Sequence, residues 1–195
     1  MNDTLSYYNP NTSSFIESTQ SVLMTEAWNR FTSKLATFSL ILDFGCGSGR
    51  DTKYFLEHNF KVEAMDGSKE LCKAASKFTG ITVKHQLFQD WKSEPKYNGV
   101  WACSSILHLN KQELKQVIGN IRDALLASGI FNTSFKYGNF EGIRNGRYFT
   151  DLTEASYAEL INEVTGFEII EEWITSDVRP GREEEKWLNV ILKKI

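Results

Sequence analysis

Cysteine and histidine are scarce in this chain, three of each, and no apolar run comes near the length of a membrane span. A span needs ~20 consecutive apolar residues, so no membrane association is expected. The cysteines, Cys46, Cys72 and Cys103, are scattered and odd in number. That argues for a reducing, cytoplasmic compartment and against a disulfide framework. His58, His85 and His108 stand in no Cys/His spacing of a metal site, and no metal is expected. Met1-Asn-Asp-Thr-Leu5 has neither the basic nor the apolar region of a secretory signal. A net charge of −3 offers no basic face for sequence-independent nucleic-acid binding. The Asn-Pro-Pro-Tyr or Asp-Pro-Pro-Tyr tetrapeptide that grips an extruded base is missing, and Asn9-Pro10-Asn11 is not a match. There is no internal repeat, low-complexity tract or linker. The 195 residues, 41% apolar and 24% charged, suit one domain over 1–195.

What stands out is Ile41-Leu-Asp-Phe-Gly-Cys-Gly-Ser-Gly49. An apolar run brings Asp43 to a strand end, and the chain then turns through Gly45, Gly47 and Gly49 into a helical pattern. Glycine is required where φ is positive or a ligand must approach the backbone closely. A strand–glycine turn–helix unit is a nucleotide-type cofactor site. Dinucleotide binders favour G-x-G-x-x-G. Here the third glycine comes one residue early, and a carboxylate stands two residues before the first. That carboxylate repels a pyrophosphate but can accept from an ammonium group, directly or through water. A cofactor with an amino-acid end and an adenosine end fits, which points to S-adenosylmethionine (SAM). Asp66 closes a second strand, Lys61 to Met65, about 20 residues on, where a ribose diol would be held. Asp90 follows a third strand, Ile81 to Lys84, where it can accept from the adenine amine.

The remaining pattern alternates strand and helix. Two helices are expected in residues 1–39, the first with a capping box at Ser14-x-x-Glu17. The second carries Trp28, Phe31 and Leu35 on one face. Thr52 to His58 reads as a short helix and Val100 to Cys103 as the fourth strand. Asn110-x-x-Glu113 caps a long helix that Gly129 ends, and Ile130 to Lys136 is the fifth strand. Thr153 to Val164 is a helix stopped by Gly166. Phe167 to Thr175 and Trp187 to Lys193, with no helix between them, should pair antiparallel. The expectation is an α/β, Rossmann-like fold. Its seven-stranded, mostly parallel sheet carries helices on both faces and an antiparallel last strand, with residues 1–39 as a helical lid and 40–195 as the core.

These motifs resemble those of the class I SAM-dependent methyltransferases over nearly the whole chain, and within them the small bacterial tellurite-resistance-type and small-molecule branch. The carrying residues are the glycine stretch, Met65-Asp66-Gly67-Ser68, Phe88-Gln89-Asp90 and Trp101-Ala-Cys103-Ser-Ser-Ile-Leu-His108. The resemblance implies that Asp43, Gly45, Cys46, Gly47 and Gly49 face the methionine part of SAM. It places Asp66, with Met65 and Gly67, at the ribose, Gln89 and Asp90 at the adenine, and the Cys103 backbone against the amino-acid moiety. Ala127-Ser-Gly129 departs from the usual Pro-Gly-Gly before the fifth strand. The implied products are a methylated acceptor and S-adenosylhomocysteine (SAH).

Three later segments should face the methyl group: Ser104 to Asn110, a long loop over Tyr137 to Asp151, and Thr175 to Arg182 with a turn at Pro180-Gly181. They would bring Arg147, Arg179 and Arg182 to one mouth, where guanidinium forks suit an anionic acceptor; Tyr148 and Tyr8 are further substrate-binding candidates. The bland alternative pairs Arg182 with Glu183 to Glu185 in solvent and lets Arg147 brace the loop. His108, just past the fourth strand, is the candidate general base; otherwise it packs under the loop or caps the next helix. Tyr7, Tyr8, Phe15, Met24 and Trp28 are the inward candidates of the lid, with packing favoured for Trp28 and Phe31. The leading reading is in-line methyl transfer to a small molecule by a monomer or homodimer. The alternatives are a protein or RNA acceptor, a SAM-binding protein without catalysis and, more remotely, an NAD-dependent oxidoreductase.

Overall fold

In the computed structural model, which describes residues 4–179 and 181–195, seven strands form one sheet and two more form a hairpin. Three short helices come first: α1 (Thr4–Tyr8), α2 (Thr12–Thr19) and α3 (Thr25–Thr32). Two helices were expected there. The break falls at Asn9-Pro10, where proline has no N–H for a helical bond. Asn11 Nδ2 then donates to the Tyr7 carbonyl at 2.7 Å, and α2 starts at Thr12 with no side-chain cap. The Ser14 capping box is therefore not formed.

From there strand and helix alternate: β1 (Leu40–Phe44), α4 (Arg50–Glu57), β2 (Lys61–Asp66), α5 (Lys69–Thr79), β3 (Val83–His85), β4 (Tyr97–Ala102), a 3-10 turn (Ile106–His108), α6 (Lys111–Ala124) and β5 (Leu125–Lys136). The Asn110–Glu113 capping box is present in both directions. α6 stops at Ala124 instead of continuing to Gly129, because Leu125 is already extended and pairs with Tyr97. The register slips between Tyr97 and Gly99, and Ser128 takes φ 59° in the resulting bulge.

The segment expected as a long loop holds a hairpin, β6 (Glu141–Arg144) with β7 (Arg147–Thr150). Asn145 and Gly146, at φ 51° and 74°, make its two-residue turn. Positive φ at both positions is what an Asn-Gly pair supplies. α7 (Glu154–Val164), β8 (Phe167–Ser176) and β9 (Lys186–Lys194) complete the chain. Pro180 of the expected Pro180-Gly181 turn lies outside the described residues.

The sheet order is β3-β2-β1-β4-β5-β9-β8. Every pair from β3 to β5 is parallel, and β9 runs antiparallel to both neighbours. Alternate residues feed opposite layers. Ile41, Trp101 and Ile130 pack under α3 and α4 with Trp28, Phe31 and Phe55. Leu42, Val100 and Phe131 pack under α6 and α7. Two-sided cover explains why these strand positions are apolar on both faces of the sheet. The carboxyl ends of β1, β2, β4 and β5 share one rim, where an open α/β sheet binds ligands.

Candidate functional site

At that rim the chain leaves β1 through Gly45 at φ 90° and Gly47 at φ 54°. A Cβ on Gly45 would stand 2.4 Å from Ser105 Cβ, so no side chain fits there. The Gly45 and Cys46 amides donate to the Met65 carbonyl at 2.9 and 3.0 Å, which ties the loop to the end of β2. Asp66 completes the tie, accepting from Gly47 N at 2.9 Å and Ser68 N at 2.8 Å. Burial raises its carboxyl despite those donors.

Asp43 is buried and accepts from Thr52 Oγ1 at 2.6 Å. Burial, with the nearby Asp51 charge second, pushes its carboxyl far above the ordinary range. Asp51 is the opposite case. Burial would raise it too, but the Arg50 guanidinium and two indole N–H groups hold it low. It receives Arg50 Nε at 2.7 Å and Nη2 at 2.9 Å, Trp28 Nε1 at 2.9 Å and Trp101 Nε1 at 2.8 Å. Asp43 and Asp66 flank the glycine turn and form no ion pair among the described residues, Arg50 and His85 acting on them only through the longer-range field. A ligand bringing an ammonium and a hydroxyl pair would fit them.

A cavity of about 670 Å³ opens from the glycine turn across the rim to the β8–β9 connection. Gly45, Cys46, Gly47, Arg50, Asp51 and Cys103 line one end. Tyr8, Phe15, His108, Arg147 and Phe149 form a second wall, and Lys136, Asp177, Arg179 and Arg182 a third. Most of the cations are matched. Arg179 forks onto Asp177 at 2.8 and 2.5 Å, and Arg144 onto Asp151 at 3.1 and 2.9 Å. Arg182 lies 3.7 Å from Glu185. Lys136 pairs with Asp177 and Glu185; burial still lowers its ammonium to about 8.

Arg147 differs. Its Nη1 donates to Tyr8 Oη at 3.3 Å, and its guanidinium lies over the Tyr7 and Phe149 rings at 4.5 and 5.1 Å. Its buried Nε has no hydrogen-bond partner among the described residues. Beside it, His108 Nδ1 lies 2.7 Å from the Tyr148 carbonyl and Nε2 lies 3.0 Å from Tyr8 Oη. The carbonyl can only accept, so Nδ1 carries the proton and Nε2 accepts from the Tyr8 hydroxyl. Burial lowers the imidazole to about 4, leaving it neutral at physiological pH.

The structure thus gathers nine of the expected residues at the cavity: Tyr8, Gly45, Cys46, Gly47, Cys103, His108, Arg147, Arg179 and Arg182. Gly49, at φ 81°, opens α4 from behind the turn, where α5 packs on it. Met65 is a core residue that lends its carbonyl. Gly67 lies under Leu5. Gln89 donates to Glu113 Oε1 at 3.0 Å and Asp90 is exposed. The Tyr148 side chain turns away to Glu141, at 3.0 Å, and only its backbone serves the site. Arg50, Asp51, Lys136 and Asp177 were missed as site residues. The signal for Lys136 was present, since strand alternation puts it on the Ser134 face at the open end of β5. Asp177 had no such signal.

Residues 41–129 match the family model described as a methyltransferase domain. No curated protein matches the chain. Among solved structures, the chain is similar to the 1,6-didemethyltoxoflavin-N1-methyltransferase of Burkholderia thailandensis, with bound 1,6-didemethyltoxoflavin and SAH. That match has 20% identity and a TM-score of 0.75, and it covers 100% of this chain and 91% of that one. A TehB-like SAM-dependent methyltransferase of Corynebacterium glutamicum aligns at 16% identity and a TM-score of 0.71, covering 98% of each chain. The N-methyltransferase NodS of Bradyrhizobium japonicum, in complex with SAH, aligns at 12% and 0.74, covering 98% of this chain and 99% of that one. Residues 41–129 thus resemble a methyltransferase domain, and the chain has the fold of these structures.

Proposed function

We propose that this chain transfers the methyl group of SAM to a small, anionic acceptor held in the rim cavity. The observation that carries the reading is the pair of carboxylates on either side of the glycine turn, buried Asp43 and half-buried Asp66, both raised by desolvation. An ammonium suits the first and a ribose diol the second. When bound, the sulfonium supplies an electrophilic methyl carbon, so the protein's part is alignment of an in-line displacement. Tyr8 and Phe15, whose rings meet edge to face at 5.2 Å, shield that end of the cavity from water.

Arg147 is the proposed anion clamp. Arg179 and Arg182 already face carboxylates, whereas the Arg147 Nε is buried with no partner among the described residues. The N-terminal helices act as a lid of the same domain: Phe15 packs on Gly47, Leu5 on Gly67, and Asn9 Oδ1 accepts from Ser68 Oγ at 2.8 Å. No helix among the described residues is long and apolar enough to cross a membrane. Work in the cytoplasm, as a monomer or homodimer and without nucleic acid, suits the free cysteines and the net charge. Calorimetric titration with SAM, SAH and NAD tests the cofactor. Binding of the first two alone, followed by SAH release with an acidic acceptor, is the expected result. A chain that binds neither adenosyl compound is not a methyltransferase of this kind.

A further inference from the structure

We propose that Tyr8 is the catalytic proton acceptor of this reaction, with His108 taking the proton onward, and that the acceptor therefore reacts through a hydroxyl oxygen. The inference rests on the methyl-transfer reading and specifies its chemistry. Tyr8 lines the cavity, and its hydroxyl has one proton and two lone pairs. The proton is committed to His108 Nε2 at 3.0 Å, because Nδ1 is tied to the Tyr148 carbonyl at 2.7 Å. One lone pair takes Arg147 Nη1 at 3.3 Å. The remaining valence of the Tyr8 oxygen is an acceptor, so the ligand group it suits is a donor such as a hydroxyl.

The step balances. The acceptor oxygen forms its bond to the methyl carbon as the carbon–sulfur bond breaks, and the sulfur keeps that electron pair. The proton of the acceptor hydroxyl passes to Tyr8 Oη while the Tyr8 proton passes to His108 Nε2. The imidazolium so formed releases its proton to water when the cavity opens. His108 is a weak base here, since burial lowers it to about 4. A weak base suffices for an oxygen acceptor, whose proton becomes strongly acidic as the new bond forms. It would not serve an alkylammonium, whose proton is held about as tightly as that of lysine. Among the described residues, the charged and titratable groups facing the pair include Arg147 from β7, Tyr7 from α1, Asp66 from β2 and Arg179 from the β8–β9 connection. Arg147 opposes protonation of His108, and the Tyr148 carbonyl favours it.

The test supplies SAM with salicylate, 4-hydroxybenzoate and catechol, and in parallel with the alkylamines 2-(aminomethyl)benzoate, 4-(aminomethyl)benzoate and benzylamine, reading SAH release. Turnover of at least one hydroxyl probe and not of its amine counterpart is expected, with kcat flat above about pH 5.5 because the imidazole is already neutral. Tyr8→Phe should lower kcat by about 100-fold or more, with KM and SAM affinity within about threefold of the parent. Turnover of amines alone overturns the proposal. So does the absence of hydroxyl turnover by a chain that binds SAM, or an undiminished kcat in Tyr8→Phe. Failure to bind SAM overturns the methyl-transfer reading instead. Nitrogen-15 NMR of His108 in the SAH complex gives a readout free of turnover and of any variant. Protonated Nδ1 with bare Nε2 supports the relay, and the reverse tautomer removes it.

Discussion

The Asp66 carboxylate accepts the Gly47 amide at 2.9 Å across 19 residues of chain. One side chain therefore fixes the glycine turn and faces the proposed ribose. Asp66→Ala should remove the thermal stabilisation that SAM gives the parent. At ~100 times its dissociation constant a ligand stabilises by roughly 2.7 kcal/mol, several degrees in a chain of this size. A thermal-shift titration of both proteins reads the loss directly.

Asp51 gathers two indoles and a guanidinium in the core. Asp51→Ala leaves Arg50 buried without its counter-charge and strands two indole N–H donors. Such breaks cost about 3–5 kcal/mol. Urea unfolding followed by tryptophan fluorescence should show a midpoint shift of that order. Trp28→Phe, which removes one donor and keeps the charge pair, should cost about 1–3 kcal/mol.

The arginines at the rim should separate by partner. With SAH bound and benzoate as probe anion, Arg147→Gln should weaken binding by about 10-fold or more, the effect of losing a charged hydrogen-bonding partner. Arg182→Gln, whose side chain is 45% exposed beside Glu185, should change it by less than about twofold. Equal effects in the two variants would return the clamp to a diffuse field of positive charge.

Asp43 makes stability depend on pH. Its folded-state carboxyl titrates above its unfolded value, so the folded chain binds the extra proton. Stability from this group is present at low pH and is lost as pH rises through the raised value. Asp43→Asn keeps an acceptor for Thr52 Oγ1 and cannot ionise. Relative to the parent it should gain about 1–3 kcal/mol between pH 5 and 8, while binding SAM more weakly. Melting curves at several pH values, with and without SAM, check both halves.

The first two strands were readable because each ends at or beside an acid next to glycine, and α6 because of its capping box: Asp43, Asp66 and the Asn110 cap stand where the pattern put them. The hairpin at Glu141–Thr150 was not, although Asn145-Gly146 between two runs signals one locally. Reading the segment as rim loop put Arg147 at the rim, where it lines the cavity, but hid that Tyr148 and Arg147 point to opposite faces of a strand. Hence Arg147 reaches the cavity while the Tyr148 ring reaches Glu141. The glycine turn was legible since its φ values demand glycine. The partners of Arg179 and Lys136 were not, because Asp177 meets them through folding rather than through any spacing. Gln89 shows the converse: its place after β3 fitted an adenine contact, but Glu113 at the cap of α6 claims its amide.

The position of β9 bears on how the chain is made. β9 lies between β5 and β8 with Leu188, Val190, Ile191 and Leu192 all buried, yet it follows both in sequence. A ribosome that has completed β8 therefore presents an interrupted sheet, with the edge of β5 open and β8 lacking β9, its neighbour in the sheet. An unpaired apolar edge is a template for association with other chains, and closing it requires pairing over long sequence separation, which is slow. Nascent chains of this protein should be most exposed to chaperones and proteases in that interval, before the strand that joins the two halves has emerged.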